Sequence, residues 1–303
     1  SIARKVTAST SANGQTVATV SQPRREEVFR QLDVQTELKG ASFEGPGAGT
    51  FDGAYLSVPL SFDAGRGTGM METSMKGSLD YHHGTGGLGV AILWMEAATR
   101  LKLLASLEPS SAPKTAEHEV GTLRFVVSVP LSDSAGNAVG ARQIIVRVPV
   151  AVDVVTQSQF GLMLDGAVDT EGHSAMGRSI SGLVDAAPQY QGFSVATLAP
   201  VLPAGAATGS SFTASVTART RTKAIASFLG IPLMEFSGTV LDANWSPTLE
   251  AVAGEPGYCL RATQRVTAVT SGFVVGAGGA LLTAPAVSTP VSEGPPIALG
   301  NCI

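Results

Sequence analysis

One stretch of strict alternation constrains the fold of this chain more than any other feature. In QIIVRVPVAVDVV, every second residue from Ile144 to Val154 is apolar, whereas the positions between them include Arg147 and Asp153. Successive side chains of a β-strand point to opposite faces, so this stretch predicts a long strand with one fully apolar face. Residues 122–130 alternate in the same way, and the turn-forming residues between the two runs predict a hairpin.

Further alternating runs predict strands along most of the chain. Turn-forming residues separate these runs at short intervals, as they do in antiparallel sandwiches and barrels. The additional predicted strands are residues 16–21, 54–62, 158–164, 192–199, 211–219, 234–242 and 257–275. A proline within 54–62 favours an edge position for that strand.

Three segments have helical features instead. These features are an apolar face at helical spacing, an i,i+4 pair of opposite charges (Glu96 and Arg100), and a capping residue (Thr222) before an apolar run. The predicted helices are residues 24–33, 90–107 and 223–229. We therefore expect a mainly β (β-rich α+β) fold: an antiparallel sandwich or barrel, with a jelly roll as one form of it, into which two or three short-to-medium helices are inserted.

The two ends of the chain differ from its middle in composition. The N-terminal residues are polar, and the residues from Gly276 onward are mostly Gly, Ala, Pro and Ser. We expect the C-terminal segment to be an extended arm that lies on a surface of its own chain or of a neighbour. Its docking residues would be Ile297, Leu299 and Ile303. The expected organisation is an arm over 1–15, a single β-rich domain over 16–275 with a subdivision near 108–120 as the alternative, and an arm over 276–303.

Charged residues are scarce. They make up 15% of the 303 residues, where roughly 25% is usual. Such a chain either covers its surface with small polar residues, as many secreted β proteins do, or buries surface against other chains. The net charge of −4 gives no strong field for nucleic acid. No apolar run reaches the length of about 18 residues that predicts a membrane-spanning helix, and we expect no membrane contact.

The two cysteines leave several arrangements open. Cys259 falls in a predicted strand and Cys302 is one residue from the end of the sequence. Two thiols provide neither a metal cluster nor a disulfide framework. They could form a disulfide that fixes the C-terminal segment, within one chain or between two chains, or they could remain reduced.

The stretch GTGGLG, residues 84–89, spells the glycine fingerprint of a dinucleotide-binding turn. That turn requires a buried strand before the glycines and an acidic residue at the tip of a second strand. The preceding METSMKGSLDYHH is polar and charged, and Glu108 lies at the end of the predicted helix 90–107. We therefore interpret GTGGLG as a flexible loop that leads into a buried helix, and we expect no cofactor.

Other candidates for catalysis or metal binding are equally incomplete. In GHSAMG, Ser174 is placed as in the G-x-S-x-G nucleophile elbow, but Met176 stands where the second glycine belongs. The adjacent His82 and His83 would point to opposite faces of a strand, which does not suit a shared metal, and His118 is distant in sequence. The sequence therefore predicts no catalytic and no metal-binding residues.

These observations favour a non-enzymatic structural subunit. The expected form is a virion coat or capsid-surface protein that assembles in the host cytoplasm through contacts with copies of itself and with another capsid protein, and that binds nucleic acid weakly or not at all. One alternative is a secreted β-rich hydrolase, in which Ser174 and His173 would be tested, or a secreted carbohydrate-binding domain. A second alternative is a bacterial pilus or sheath component, which would form filaments rather than shells.

Overall fold

The structure is a computed structural model that describes residues 5–12, 15–21, 32–45, 49–84, 87–132, 137–179, 182–202, 210–251, 257–277, 280–283, 287–293 and 302. Within these residues nearly the whole chain is β-strand, and there is no α-helix. One short 3-10 turn occurs at Asp63–Gly65. The same residues contain no helix that is long and apolar enough to cross a membrane.

The strands, numbered β1 to β17 along the chain, form two large antiparallel sheets and a separate hairpin. Sheet I contains β3 (Leu32–Leu38), β5 (Thr50–Phe51), β6 (Leu56–Phe62), β7 (Gly67–Gly84), β8 (Gly87–Leu107), β11 (Gly161–Ser179) and β12 (Gly182–Val201). Sheet II contains β4 (Ser42–Glu44), β9 (Lys114–Ser132), β10 (Ala138–Ser158), β13 (Ser211–Phe228), β14 (Ile231–Ala251), β15 (Tyr258–Ala277), β16 (Ala280–Thr283) and β17 (Val287–Glu293). The hairpin consists of β1 (Lys5–Ala12) and β2 (Gln15–Ser21).

Sequential hairpins build both sheets. The strand order is β12-β11-β8-β7-β6-β5 in sheet I, where β3 pairs with β7 beyond the end of β6. The order in sheet II is β16-β15-β14-β13-β10-β9-β4, with β17 also paired to β15. The chain crosses between sheets after β3, β4, β8, β10 and β12. This is the expected antiparallel sandwich, but it is made of hairpins rather than of the two Greek keys of a jelly roll.

The prediction from the alternating stretch is confirmed. Residues 122–130 and 143–155 lie in β9 and β10, which pair as an antiparallel hairpin. The apolar series from Ile144 to Val154 is buried, while Arg147 is exposed on the opposite face. Period-two patterning was therefore a sufficient signal for this part of sheet II.

The core lies between the inward faces of the two sheets and includes a few polar groups. Thr73 on β7 and Thr99 on β8 are both buried, and their hydroxyls are hydrogen-bonded at 3.0 Å. Between the sheets, the hydroxyl of Thr220 donates to the sulfur of Met71 at 3.3 Å. Pairing of this kind lets buried hydroxyls be desolvated without losing hydrogen bonds.

The predicted helix 90–107 is wrong, because this segment belongs to strand β8. Its inward positions Thr99, Leu101, Leu103, Ala105 and Leu107 are all buried, and they alternate with outward ones. Ala, Leu, Glu and Lys favour helices only weakly, and packing between two sheets overrides that preference.

The predicted helix 223–229 is also wrong. Residues 223–228 end strand β13, where Ala224 and Phe228 are buried and Lys223 is exposed. Leu229 and Gly230 have positive φ angles of 52° and 81° and join β13 to β14 as a two-residue hairpin turn. Gly230 therefore lies in a hairpin turn between two strands and does not terminate a helix. Most of the predicted helix 24–33 lies outside the described residues.

The described parts of the two predicted arms are themselves β-strands. The N-terminal arm contributes to β1 and β2, which form a sheet of their own. Within 276–303, β16 and β17 pair with the outer edge of β15. The described part of the C-terminal segment thus lies along its own chain. The arm residues Ile297, Leu299 and Ile303 lie outside the described residues.

Candidate functional site

Among the side chains that the structure describes, large apolar residues are exposed on one sheet and not on the other. Within the described residues, every large hydrophobic residue of this kind belongs to sheet I or to the turn that enters it, with 43% to 61% of its surface exposed. These residues are Tyr55, Met70, Leu104, Met163, Val195 and Val201. Among the side chains that the structure describes, exposed large apolar residues are therefore a feature of sheet I.

Strand register brings four of these residues into a diagonal line, which we call the apolar stripe. Met70 pairs with Lys102, two residues before Leu104 on the neighbouring strand β8. Leu104 pairs with Asp165, two residues after Met163 on β11. Met163 in turn pairs with Ala199, two residues before Val201 on β12. Diagonal neighbours in a sheet are about 7–8 Å apart, so Met70, Leu104, Met163 and Val201 form a continuous stripe across four strands.

Cross-strand ion pairs lie on the outer faces of both sheets, and in sheet II two arginine–carboxylate pairs join β13 to its neighbours β14 and β10. Arg219 lies 2.8 Å from Asp242, and Arg221 hydrogen-bonds Asp153 at 2.7 Å. The hydrogen bond to Asp153 is the main cause that raises the pKa of Arg221. Because these arginines lie beside carboxylates, this part of sheet II is polar but does not form a surface of uncompensated positive charge.

A small cavity opens where the edge of β7 changes partner. β3 pairs with β7 only as far as Gly77, and β6 begins its pairing at Thr73. The cavity of about 250 Å³ lies against the residues between these two points. Its lining includes Leu38, Phe51, Met75, Leu123 and Phe125, with Lys39 and Lys76 among the polar residues. It is smaller than the range of roughly 300–1,000 Å³ typical of ligand pockets.

Asp52 organises the turn that forms one wall of this cavity. Its carboxylate accepts hydrogen bonds from the backbone N–H groups of Tyr55 at 2.7 Å and Ala54 at 2.9 Å. These bonds, that from Tyr55 foremost, lower the pKa of Asp52. The pair of bonds is an Asx-type turn, in which a side chain replaces a backbone acceptor.

We expect the Asp52 turn to be pH-dependent. Because the folded-state pKa is lowered, the carboxylate stabilises the turn above the unfolded-state pKa, and this stabilisation is lost as the pH falls through the folded-state value. The carboxyl carbon shift of Asp52, followed by NMR during acid titration, should have a midpoint below the ordinary value of 3.8. A midpoint at or above that value would contradict the hydrogen-bonded turn, and Asp52→Asn serves as the non-titrating control.

The glycine-rich stretch GTGGLG lies in a hairpin. Gly84 ends β7 and pairs with Gly87, which begins β8, while residues 85–86 lie outside the described part of the chain. The polar segment before it, which sequence reasoning rejected as a strand, is β7. Its inward positions include Leu79 and Tyr81, both fully buried. A strand thus precedes the glycines, but an antiparallel strand follows them where a dinucleotide turn requires a helix.

The remaining candidate residues are dispersed over the two sheets. Ser174 pairs with Met95 inside the ladder of β11 and β8, so it occupies a strand and not a strand-to-helix elbow. His82 faces outward between Asp33 and Asp80, whereas His83 is buried, as their adjacency on a strand predicts. His118 lies on β9 in the other sheet. Within the described part of the chain, no group of three or more His, Cys, Asp and Glu residues is placed to hold a metal ion.

Cys259 and Cys302 are joined by a disulfide within the chain. Cys259 is buried near the start of β15, and Cys302 also pairs with it through a backbone bridge. Together with β16 and β17, this contact follows the outer edge of β15. The disulfide thus fixes the end of the C-terminal segment at that edge.

The apolar stripe is the feature that sequence reasoning missed. Leu104 and Met163 occupy outward positions of their strands, where polar residues are usual. The sequence signal for these two residues was an apolar side chain at an outward position of an alternating strand. Their diagonal alignment, however, depends on the register between strands, which the sequence does not reveal.

Comparison of the chain with protein-family models, with curated proteins and with solved structures finds no match.

Proposed function

We propose that this protein is a structural, non-catalytic subunit that assembles with copies of itself, in the form of a virion coat or capsid-surface protein. The observation that carries this proposal is the apolar stripe on the outer face of sheet I. Exposed apolar side chains are tolerated singly on a soluble monomer, but a contiguous group marks a surface that another molecule covers. A partner subunit and another capsid protein are the proposed occupants.

The composition of the chain also supports self-assembly. Only 15% of the residues are charged, and interfaces are depleted in Lys, Glu and Asp. The exposed large apolar side chains give the assembly contact a location, since those that the structure describes lie on sheet I or in the turn that enters it. Closed symmetric assemblies reuse one such surface in every subunit, so a modest stripe acquires many copies of the same contact.

The mass and shape of the purified particle test this function directly. Light scattering on a sizing column, followed by negative-stain microscopy, should show a regular particle many times heavier than the single chain of 30.8 kDa. A monodisperse species of single-chain mass at micromolar concentration would contradict the assembly proposal. Filaments or tubes in place of closed shells would contradict the capsid form while retaining self-assembly.

Leu104→Lys should weaken self-association without unfolding the subunit. Leu104 is 50% exposed in the single chain, so the change costs little folding free energy. At an interface, however, the added ammonium must be desolvated or excluded, and we expect the dissociation constant to rise by about tenfold or more. Sedimentation velocity over a concentration series measures this change, and circular dichroism verifies folding. Leu104→Met keeps an apolar side chain and is the matched control; equal association of the two variants would exclude the stripe from the interface.

A further inference from the structure

Strand β9 has a stretch of edge without a strand partner in the described part of the chain. β4 pairs with β9 only over Thr122–Arg124, whereas β9 continues to Ser132. The hydroxyl of Ser42 donates to the carbonyl oxygen of Arg124 at 3.4 Å, which indicates that the backbone groups of Arg124 face away from β10. Backbone groups alternate sides along a strand, so those of Val126 and Ser128 face the open edge as well.

Pro130 supports this assignment and limits the open segment. It has the same parity as Ser128, and a proline in a sheet sits where its missing N–H faces an edge. The open stretch, Phe125–Val129, contains no charged residue. We call this stretch the β9 edge.

The other described edges have features that discourage strand addition. β3 carries Asp33 and Glu37, and β6 contains Pro59 beside the short β5. β15 is covered by β16 and β17, and β12 lies beside β17. The first part of β9 carries Lys114, Glu117 and Glu119. Charges, prolines and covering strands are the usual means of blocking edges, and among the described residues the β9 edge has none of them before Pro130.

The N-terminal hairpin, formed by β1 and β2, lacks a third strand within the described residues. β1 and β2 pair only with each other within the described residues, over 8 and 7 residues respectively. A single two-stranded hairpin is at best marginally stable in water, and a third strand stabilises it. Val and Thr, which favour sheets, supply three of the eight residues of β1 and four of the seven residues of β2, and the two strands contain one charged residue, Lys5.

We propose that the N-terminal hairpin of one copy pairs with the β9 edge of a second copy and so extends sheet II across the contact. This inference rests on the proposed assembly function and names the segment that makes the contact. One contact supplies hydrogen-bond partners to both surfaces: the hairpin gains a third strand, and the outward backbone groups of Val126 and Ser128 on the β9 edge gain partners. A second copy is the expected occupant because the hairpin of the same chain does not pair with β9.

Ser128→Pro tests the edge. This substitution removes the outward N–H of an exposed residue but leaves the ladder between β9 and β10 intact, as Pro130 already does. Loss of one backbone hydrogen bond and steric blocking by the ring should raise the dissociation constant of the assembly about tenfold. Ser128→Ala retains the N–H and should assemble as the unaltered chain does. Equal assembly of both variants, with circular dichroism confirming folding, would overturn the inference.

Cross-linking of mixed variants identifies the occupant. Thr10→Cys and Ser128→Cys are prepared separately, mixed, allowed to assemble and treated with a short bis-maleimide; the native cysteines are already joined in a disulfide and do not react. The expected product is a covalent dimer that forms in the mixture and in neither variant alone. Dimers of Ser128→Cys alone would show that two β9 edges meet, which overturns the hairpin as occupant.

Two further results separate this inference from the proposed function. If the unaltered protein forms large particles but the mixture gives no cross-linked dimer, the hairpin contact is wrong and the assembly function stands. If a chain carrying both substitutions cross-links internally while the mixture gives no dimer, the hairpin docks on its own body and the contact with a second copy is overturned. A failure of the unaltered protein to assemble at all contradicts the proposed function itself, independently of the cross-linking result.

Discussion

Replacing Trp245 with alanine should lower the free energy of unfolding by about 3–5 kcal/mol, the range for truncating a buried tryptophan. Trp245 is the largest fully buried side chain of the described residues and lies on β14 in sheet II. Its indole packs on Gly166 of β11, where an added Cβ would lie 3.1 Å from the ring. Truncation would therefore open a cavity directly between the two sheets.

The hydrogen bonds of Trp245 add to this cost. Its indole N–H donates to the side-chain oxygen of Gln264 at 3.2 Å, and the amide nitrogen of Gln264 donates to the carbonyl oxygen of Ser194 at 3.3 Å. This chain of bonds joins β14 and β15 of sheet II to β12 of sheet I. Without the indole, the oxygen of buried Gln264 loses its donor, which is costly in a site of low polarity.

Urea unfolding followed by far-ultraviolet circular dichroism measures the Trp245→Ala effect. Trp245→Phe is the matched variant, because it retains an aromatic ring but removes the N–H donor, and its loss should be smaller than that of alanine. A loss below about 1 kcal/mol for alanine would be typical of a surface substitution and would contradict the packing of Trp245 between the sheets.

Sequence reasoning identified the fold class because parts of sheet II have clean alternation. From Ile144 to Val154 the inward positions are all apolar, so the two-residue period of a β-strand is evident in the sequence. In β7 the pattern was obscured, because Thr73 and His83 are buried at inward positions. Thr73 is tolerated there through its bond to Thr99, a partner on another strand. Buried polar residues with distant partners cannot be recognised from local sequence.

Strand β8 was misread for a different reason. Glu96 and Arg100 suggested a helical pair, but in the structure each finds a partner across the sheet: Glu96 lies beside Lys76, and Arg100 beside Asp169. The same charged side chains can therefore pair with each other along a helix or with residues of adjacent strands, and which of these occurs depends on the strands that lie beside them. The apolar stripe was beyond prediction for the same reason, since it exists only once four strands are in register.

Cys302→Ser should destabilise the protein through the C-terminal edge of sheet II. The disulfide to Cys259 closes a loop with a sequence separation of 43 residues, and in the chain-entropy model such a cross-link contributes about 4 kcal/mol. For a chain of this size the melting temperature should fall by roughly 6 °C. Serine at position 302 is preferable to serine at 259, because Cys259 is fully buried and a hydroxyl there would add its own cost.

Differential scanning calorimetry with and without reductant separates the disulfide from the substitution itself. The unaltered protein should lose the same stability when dithiothreitol is added, whereas Cys302→Ser should not respond to reductant. Because the disulfide holds Cys302 beside β15, at the edge where β16 and β17 also pair, its loss should loosen that edge, and the variant should be cut by trypsin after Arg265 more readily than the oxidised protein. A melting temperature of Cys302→Ser equal to that of the oxidised protein would show that pairing of β16 and β17 with β15 suffices to hold the edge closed without the covalent link.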